Sequence, residues 1–296
     1  MKLIVLGAGA GGGFPQWNVA SPNNRKAFAQ DPSCPAATQC SLAASVNGDD
    51  WIVLNASPDL RQQIIATPEL HPAHAPRSSP IKAVILAGAD IDAIAGLLTL
   101  RERQPLTVWA TDYVLNVIRS NPVFNVLNRE LVHFRSISLE HTFEPLPGLT
   151  CVAVSTPGKP PLYLEAVDGT DPVEGSSIGL KMTSPGAKTA VFMPACAGIT
   201  LDIMMALEGT DALFFDGTLC VDDEMVRTGE GAKTGRRMGH VSMDHAISHL
   251  RDVKAKRRYF IHINNTNPVL NRESDERKII EKAGWKIAED GMRIDL

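Results

Sequence analysis

The sequence lacks the apolar stretch of about 20 residues that a membrane-spanning helix needs. It has only five cysteines in 296 residues, scattered along the chain. Residues 1–6 run directly into glycines instead of an extended apolar segment, so we expect no signal peptide and a cytoplasmic location. An odd, scattered set of cysteines without an export signal indicates reduced thiols, and the absence of a C-x-x-C pair argues against a zinc site at Cys34 and Cys40.

The chain also lacks a strong excess of charge of either sign. Its formal net charge is −4, which argues against electrostatically driven nucleic-acid binding. No G-x-S-x-G elbow is present, so an esterase-like serine nucleophile is not indicated. A hydrophobic content of 44% over 296 residues is enough for a sizeable core. We therefore expect a globular protein that forms one domain over residues 1–296.

The most informative stretch is residues 81–103, where a short apolar run is followed by two acids and then a helical apolar pattern. The run favours a buried strand. Asp90 and Asp92 come directly after it, and carboxylates at the carboxyl end of a buried strand often belong to sites in α/β proteins. The alternative is that the two acids cap the helix, since Asp at a helix start accepts backbone N–H bonds.

Residues 7–18 are rich in glycine and match G-x-G-x-x-G, the dinucleotide-binding pattern. Gly13 and Pro15 follow at once and oppose the helix that this pattern should open. We therefore expect a loop whose backbone passes close to packed chain or to a ligand. Residues 18–41 look irregular because prolines and asparagines interrupt them.

Strand patterns dominate the rest of the chain, with helical patterns between them. Asn47-Gly48 is a hairpin signal between two of the strands. The arrangement indicates an α/β protein in which two sheets pack together with helices outside.

Several groups with metal-binding or catalytic capacity follow predicted strands. Asp216 ends an apolar strand, His262 lies within one, and Asn264 begins a run of polar amides after it. His240 follows a glycine in a loop. Imidazole and carboxylate groups together bind zinc or iron, and two histidines with one carboxylate form an open iron(II) site. His240 and His262 with Asp92 or Asp216 could supply that set, although either histidine alone could be structural.

Six segments resemble the family of coenzyme PQQ biosynthesis protein B: GAGAGGGFPQWN, LNASPDLRQQI, IDAIAGLLTLRE, FFDGTLCVDDEM, MGHVSM and HINNTNPVL. Together they run nearly end to end. The resemblance implies a metallo-β-lactamase-like αββα sandwich of two mixed sheets with helices outside. It also implies metal ligands at the sheet edges.

The superfamily motif H-x-H-x-D-H falls on Gly88, Asp90, Asp92 and Ala93, so only its aspartate is kept. Relatives in the family usually have a histidine where Ala93 stands. The superfamily's bridging acid corresponds to Asp216 and its last histidine to His262. On this pattern we expect metal ligation by Asp90, Asp92, Asp216 and His262. We expect catalytic roles for His240, as a base or a further ligand, and for Asn264.

Family members often carry a cysteine zinc knuckle after Q-W-N, and here those positions hold Val19, Ser21 and Asn24. We therefore expect that zinc site to be absent. The resemblance implies a role in making pyrroloquinoline quinone (PQQ) from a peptide's Glu and Tyr. One hypothesis is iron(II)-dependent hydroxylation of the tyrosine ring of a Glu-Tyr precursor. The other is binding and transport of PQQ or its precursor towards the periplasm. Expected partners are that small precursor and other PQQ-pathway proteins.

Overall fold

The computed structural model describes residues 1–73, 75–164 and 173–296. The strands of these residues, in chain order, are β1 (Lys2–Gly7), β2 (Ser41–Ser45), β3 (Trp51–Leu54), β4 (Ile81–Ile85), β5 (Leu106–Ala110), β6 (Val132–Ser136), β7 (Thr142–Leu146), β8 (Leu149–Ser155), β9 (Ile178–Ser184), β10 (Lys188–Met193), β11 (Ala212–Asp216), β12 (Arg258–Ile261), β13 (Lys286–Ile287) and β14 (Arg293–Asp295).

The α-helices are α1 (Pro22–Phe28), α2 (Leu60–Ala66), α3 (Ile91–Ile94), α4 (Asp112–Ser120), α5 (Leu201–Leu207), α6 (Glu224–Arg227), α7 (Gly235–Met238), α8 (Met243–His249) and α9 (Asp275–Lys282). Short 3-10 helices cover Pro68–Leu70, Ala95–Leu98, Pro122–Val126, Leu162–Leu164 and Pro268–Leu270. Within the described ranges, none of these helices has the length and apolar character needed to cross a membrane.

The strands form two sheets of seven. The first sheet has the order β14-β1-β2-β3-β4-β5-β6, and the second has the order β13-β12-β11-β10-β9-β8-β7. Both are mixed: β3 to β6 are parallel in the first sheet, and β10 to β13 are parallel in the second. The carboxyl ends of these parallel strands are therefore the natural place for a site.

The core lies in three layers, which follow from the alternation of side chains along each strand. In β1, Leu3 and Val5 face the layer between the two sheets, whereas Ile4 packs in the outer layer of the first sheet. In β11, Phe214 faces the central layer and Phe215 packs in the outer layer of the second sheet. The helices α2 and α4 cover the first sheet, and α5 and α8 cover the second. This confirms the expected αββα sandwich.

Two local expectations need correction. Residues 18–41, expected to be irregular, contain α1, which begins with Pro22 at a position that tolerates proline. The helical pattern after Asp92 continues as α3 only to Ile94 and then tightens into a 3-10 helix. There the Gly96 N–H donates to the Ala56 carbonyl oxygen at 2.7 Å instead of continuing the helix.

The glycine-rich loop packs against protein chain at its start. A Cβ at Gly7 would lie 2.2 Å from the Gln39 carbonyl oxygen, so only glycine fits there. Further on, Ala10 N–H donates to the Ile263 carbonyl oxygen at 2.8 Å, which joins the loop to the segment after β12. Gly11 lines the cavity described below. The start of the loop therefore packs against protein chain, and Gly11 further along it borders the cavity.

Candidate metal centre

The candidate site lies where the parallel strands of the two sheets end. β11 ends in Asp216, which pairs in register with Ile261, the last residue of β12. His262 follows with a backbone φ of 64°, a left-handed conformation that is uncommon for a residue with a side chain. The chain therefore bends sharply at His262, directly beside Asp216.

Asp216 is a fully buried carboxylate that is held on both oxygens. Its Oδ2 accepts a hydrogen bond from the Cys196 backbone N–H at 3.0 Å and lies 2.8 Å from His240 Nδ1. Its Oδ1 accepts from the backbone N–H of Thr218 at 3.1 Å and from the Thr218 hydroxyl at 2.7 Å. A buried carboxylate is stable when it is paired or bound to a metal, and these contacts fix its position for that role.

Thr218 connects the members of the cluster. Besides its bond to Asp216, its Oγ1 lies 3.0 Å from Nδ1 of His240 and 2.8 Å from Nδ1 of His262. The two imidazole rings stack with centroids 5.1 Å apart. One hydroxyl therefore sets the position of both rings relative to the carboxylate.

Asp216, His240 and His262 together meet the geometry of a metal site. One ligand atom from each residue lies within 4.8 Å of the other two. In the described ranges this is the one group of three or more such side chains that does so. Two imidazoles and one carboxylate suit zinc or iron(II).

Asp92 reaches the cluster through one of the histidines. Its Oδ2 lies 2.9 Å from His262 Nε2. Burial opposes the charged form of His262, but the hydrogen bond to Asp92 and the charges of Asp92, Asp216 and Asp90 raise its pKa. Burial would likewise raise the pKa of Asp92, but the bond to His262 keeps it below its ordinary value. Asp92 thus contacts a proposed ligand and is not itself one of the three clustered groups.

Asp90 stands apart from the cluster and lines the neighbouring cavity. It occupies the N-cap position of α3 but makes no side-chain capping bond, so the capping interpretation does not describe its side chain. Desolvation by the surrounding protein, together with the charge of Asp92, raises the pKa of its carboxyl. The other two motif positions, Gly88 and Ala93, have no side-chain ligand atom.

Asn264 lies on the segment that leaves His262. Its backbone N–H donates to the Thr218 carbonyl oxygen at 3.0 Å. Its side-chain Nδ2 donates to Thr266 Oγ1 at 2.7 Å and contacts Met225 Sδ at 3.2 Å. The residue borders the same cavity as the two histidines, which places it where it could contact a ligand.

A cavity of about 390 Å³ opens over this cluster. Both sheets contribute to its wall, and the charged and polar side chains that line it are Asn55, Asp90, Asp92, Lys159, Ser177, Thr218, His240, His262 and Asn264. Its volume falls within the range typical of small-molecule sites.

Sequence reasoning did not single out Thr218 or Glu224, both of which support the site. Thr218 lies two residues after Asp216, and its position directly beyond a strand end was the available signal. Glu224 is buried, but it lies in the segment FFDGTLCVDDEM, which contains four acids and gave no indication that this one would be enclosed. The positions Val19, Ser21 and Asn24 hold no cysteine, and Asn24 donates a hydrogen bond to Ser21 Oγ at 2.8 Å.

Comparison with known proteins places this geometry in a family. The model of the β-lactamase superfamily domain matches residues 50–263. The chain is 50% identical to coenzyme PQQ synthesis protein B of Gluconacetobacter diazotrophicus, with 99% of each chain covered. It is 46% identical to zinc-bound PqqB from Methylobacterium extorquens, whose crystal structure superposes with a TM-score of 0.97 over 100% of both chains.

A more distant solved structure shares the fold. A diphosphatase of the PhnP family is 20% identical, with a TM-score of 0.71 over 99% of this chain and 96% of the other. The Methylobacterium extorquens protein was solved with zinc bound. In this chain, Asp216, His240 and His262 have the geometry of a group that could hold a metal ion.

Proposed function

Because this chain belongs to the coenzyme PQQ synthesis protein B family, within the β-lactamase superfamily, we propose that it acts in PQQ biosynthesis as a metal-dependent oxygenase. The proposed substrate is a Glu-Tyr unit, and the proposed reaction is hydroxylation of its tyrosine ring. The observation that carries the proposal is a cavity of about 390 Å³ bordered by His240 and His262 of the three-ligand cluster.

The residues fit a metal ion on chemical grounds. Asp216 is fully buried, and a carboxylate in that setting is stabilised by a cation. Asp216, His240 and His262 would hold the ion, which is the two-histidine, one-carboxylate set of open iron(II) sites. A ferrous ion held there would supply the electron transfer that makes dioxygen reactive towards an aromatic ring.

The remaining residues of the site orient the proposed ligands and contact the substrate. Thr218 contacts Nδ1 of both rings, so Nε2 of each ring is the nitrogen that would bind the ion, and the Asp92 carboxylate lies 2.9 Å from that nitrogen of His262. Such supporting contacts set the orientation and basicity of ligands. Asp90 adds negative charge at the cavity wall, and Asn264 offers a hydrogen-bonding amide to the substrate.

The overall reaction replaces a ring C–H bond by C–OH. One atom of dioxygen enters the ring, the other leaves as water, and an external reductant supplies two electrons. The reaction requires only that a phenol, dioxygen and one metal ion meet in the cavity, so a second metal ion is not needed. Hydrolysis by two metal ions would need ligands at Gly88 and Ala93, which these residues lack.

A carrier function is the competing hypothesis. A carrier would hold the quinone, which has several carboxylates, against a wall that contains Asp90 and Asp92. Like charges at such short range disfavour the charged forms of both partners unless a cation lies between them. Glu-Tyr also carries carboxylates, but its ammonium group offers the acids of the cavity a favourable contact that the quinone lacks, and this difference favours the enzymatic hypothesis.

The test is turnover by the ferrous protein. Protein loaded anaerobically with iron(II) is mixed with Glu-Tyr, ascorbate and isotopically labelled dioxygen, and the product is examined by mass spectrometry. The proposal expects one labelled oxygen atom in the tyrosine ring. No incorporation by protein with a full complement of iron, together with tight calorimetric binding of PQQ, would refute the oxygenase and support the carrier.

A further inference from the structure

Glu224 is an enclosed acid outside the metal cluster. It begins α6 and is 4% exposed. Its Oε2 accepts a hydrogen bond from the Cys220 backbone N–H at 2.7 Å, and its Oε1 accepts one from the Thr266 hydroxyl at 2.5 Å. Burial raises the pKa of its carboxyl to about 7. An acid kept in such a setting needs a structural or functional reason.

Thr266 links Glu224 to Asn264, which lines the cavity. A hydroxyl has one hydrogen, and the short contact to Glu224 Oε1 uses it. The oxygen of Thr266 is then an acceptor, and it receives Nδ2 of Asn264 at 2.7 Å. The orientation of the amide does not depend on the charge of Glu224, because the Thr266 oxygen has two lone pairs and keeps one for Asn264 Nδ2 even when the acid is protonated.

The amide of Asn264 is thereby held in one orientation. Its two N–H hydrogens are directed to Thr266 Oγ1 and to Met225 Sδ. Its backbone N–H is bound to the Thr218 carbonyl oxygen at 3.0 Å, which fixes the residue beside the two histidines. Its Oδ1 accepts no hydrogen bond from the residues that the structure describes. A cavity-lining acceptor is thus left for a ligand.

We propose that Glu224 and Thr266 are positioning residues that hold Asn264 Oδ1 as a hydrogen-bond acceptor for the substrate. The inference rests on the proposed function and deepens it. The acceptor selects ligands that present an N–H or O–H donor at this wall, such as the phenol or ammonium group of Glu-Tyr. It disfavours a quinone carbonyl, which would bring a second acceptor against it.

The selection has a physical basis. A site that hydrogen-bonds a substrate donor rejects an analogue without one, because a buried polar group is then left unpaired. If Nδ2 faced the cavity instead, the same wall would select acceptors. The orientation of one amide therefore decides which ligands suit this wall.

The experiment compares Thr266→Val with wild type. Valine keeps the shape of threonine and removes the acceptor for Nδ2, so the Asn264 amide loses its fixed orientation. Calorimetric Kd for Glu-Tyr on zinc-loaded protein, and KM on iron-loaded protein, should each rise about 10-fold, as for one lost hydrogen bond. The kcat and the metal content should not change. Thr266→Ser, which restores the hydroxyl, should return both constants to wild-type values.

Two further variants complete the design. Thr228→Val is the matched control, because the Thr228 hydroxyl is exposed and donates to the backbone carbonyl oxygen of Met225, not to a side chain that holds Asn264. Glu224→Gln keeps the shape of the acid but replaces one acceptor by an NH₂ group, and it should weaken Glu-Tyr binding in the same direction. It also keeps the test valid if Thr266→Val does not fold.

The outcomes separate this inference from the oxygenase. If Thr266→Val binds Glu-Tyr as tightly as wild type, or if Thr266→Ser does not rescue it, the positioning role is wrong even when wild type turns over. If wild type is inactive but the calorimetric Kd still rises in Thr266→Val and recovers in Thr266→Ser, the positioning role holds and the oxygenase is wrong.

Discussion

The two sheets bring different chemistry to one cavity. The second sheet ends in Asp216 and leads to His262, and with His240 these residues place three ligand atoms within 4.8 Å of one another. The corresponding edge of the first sheet leads to Gly88, Asp90, Asp92 and Ala93. Two of those positions have no ligand atom, and Asp92 is turned to His262 at 2.9 Å.

The difference supports the proposal of a site for one metal ion. Superfamily hydrolysis uses two ions, and each needs its own set of ligands. Here the second sheet keeps a complete set, whereas the first sheet supplies mainly negative charge. A single iron(II) held by Asp216, His240 and His262 would supply the dioxygen chemistry that the proposed oxygenase requires.

The largest expected effect comes from the second sheet edge. Asp216→Asn keeps the size of the side chain but removes the charge and one acceptor, so metal affinity should fall by more than about 100-fold, beyond what loss of a supporting contact costs. Isothermal titration with zinc measures the change.

Asp211→Asn is the matched control for that variant. Asp211 lies just before β11, at the end remote from the site, and pairs with Lys256 at 2.7 Å. It should leave zinc affinity unchanged. Equal loss of affinity in both variants would show that Asp216 acts through stability and not through coordination.

The second effect comes from rebuilding the first sheet edge. The double variant Gly88→His and Ala93→His adds two imidazoles beside Asp92, so the protein should bind two zinc ions per chain instead of one. A Cβ at Gly88 would lie 3.4 Å from the Ser176 carbonyl oxygen, an ordinary contact, so a side chain can begin at that position without a backbone clash.

Zinc stoichiometry by elemental analysis tests this, with Gly88→Ala as the control that adds a Cβ and no ligand. If the double variant folds and still binds a single ion, the missing histidines do not explain the single site. That result would contradict the proposed difference between the two sheet edges.

The third prediction concerns the acid that supports the second sheet edge. Burial raises the pKa of Glu224 from 4.5 to about 7, so the fold favours its protonated form. Its contribution to stability is complete below pH 4.5 and is lost as the pH rises through about 7, a change of about 3 kcal/mol.

Glu224→Gln removes this titration. Between about pH 4 and about pH 8, the free energy of unfolding of wild type should therefore fall relative to the variant by about 3 kcal/mol. Urea unfolding at several pH values measures the difference. A constant difference between the two proteins across that range would show that Glu224 does not have a raised pKa.

The smallest effect is expected on the first sheet edge. Asp92→Asn removes a supporting contact to His262 but no clustered ligand, so metal affinity should fall by about 10-fold. Asp90→Asn is the comparison and should change the affinity less, because Asp90 makes no contact with the cluster. If Asp92→Asn lost as much affinity as Asp216→Asn, Asp92 would be a ligand and the contrast between the sheets would fail.

The sequence was sufficient for the layers of the fold and for part of the site. The sequence predicts Asp216 at the end of an apolar strand, and parallel strands end together, so its position at a site could be expected. It predicts His262 within a strand, whereas β12 ends at Ile261 and leaves His262 just beyond the strand end. The choice between capping and function at Asp92 could not be made, because the histidine that it contacts lies 170 residues away. The left-handed backbone of His262 and the central position of Thr218 likewise depend on packing between distant segments.

The most direct test of a single metal ion held by the second sheet is anomalous scattering at the iron edge from crystals grown with iron(II). The account predicts one peak per chain, within coordination distance of Asp216, His240 and His262. A peak among residues 88–93 without contact to those three side chains, or two peaks of equal strength, would contradict it.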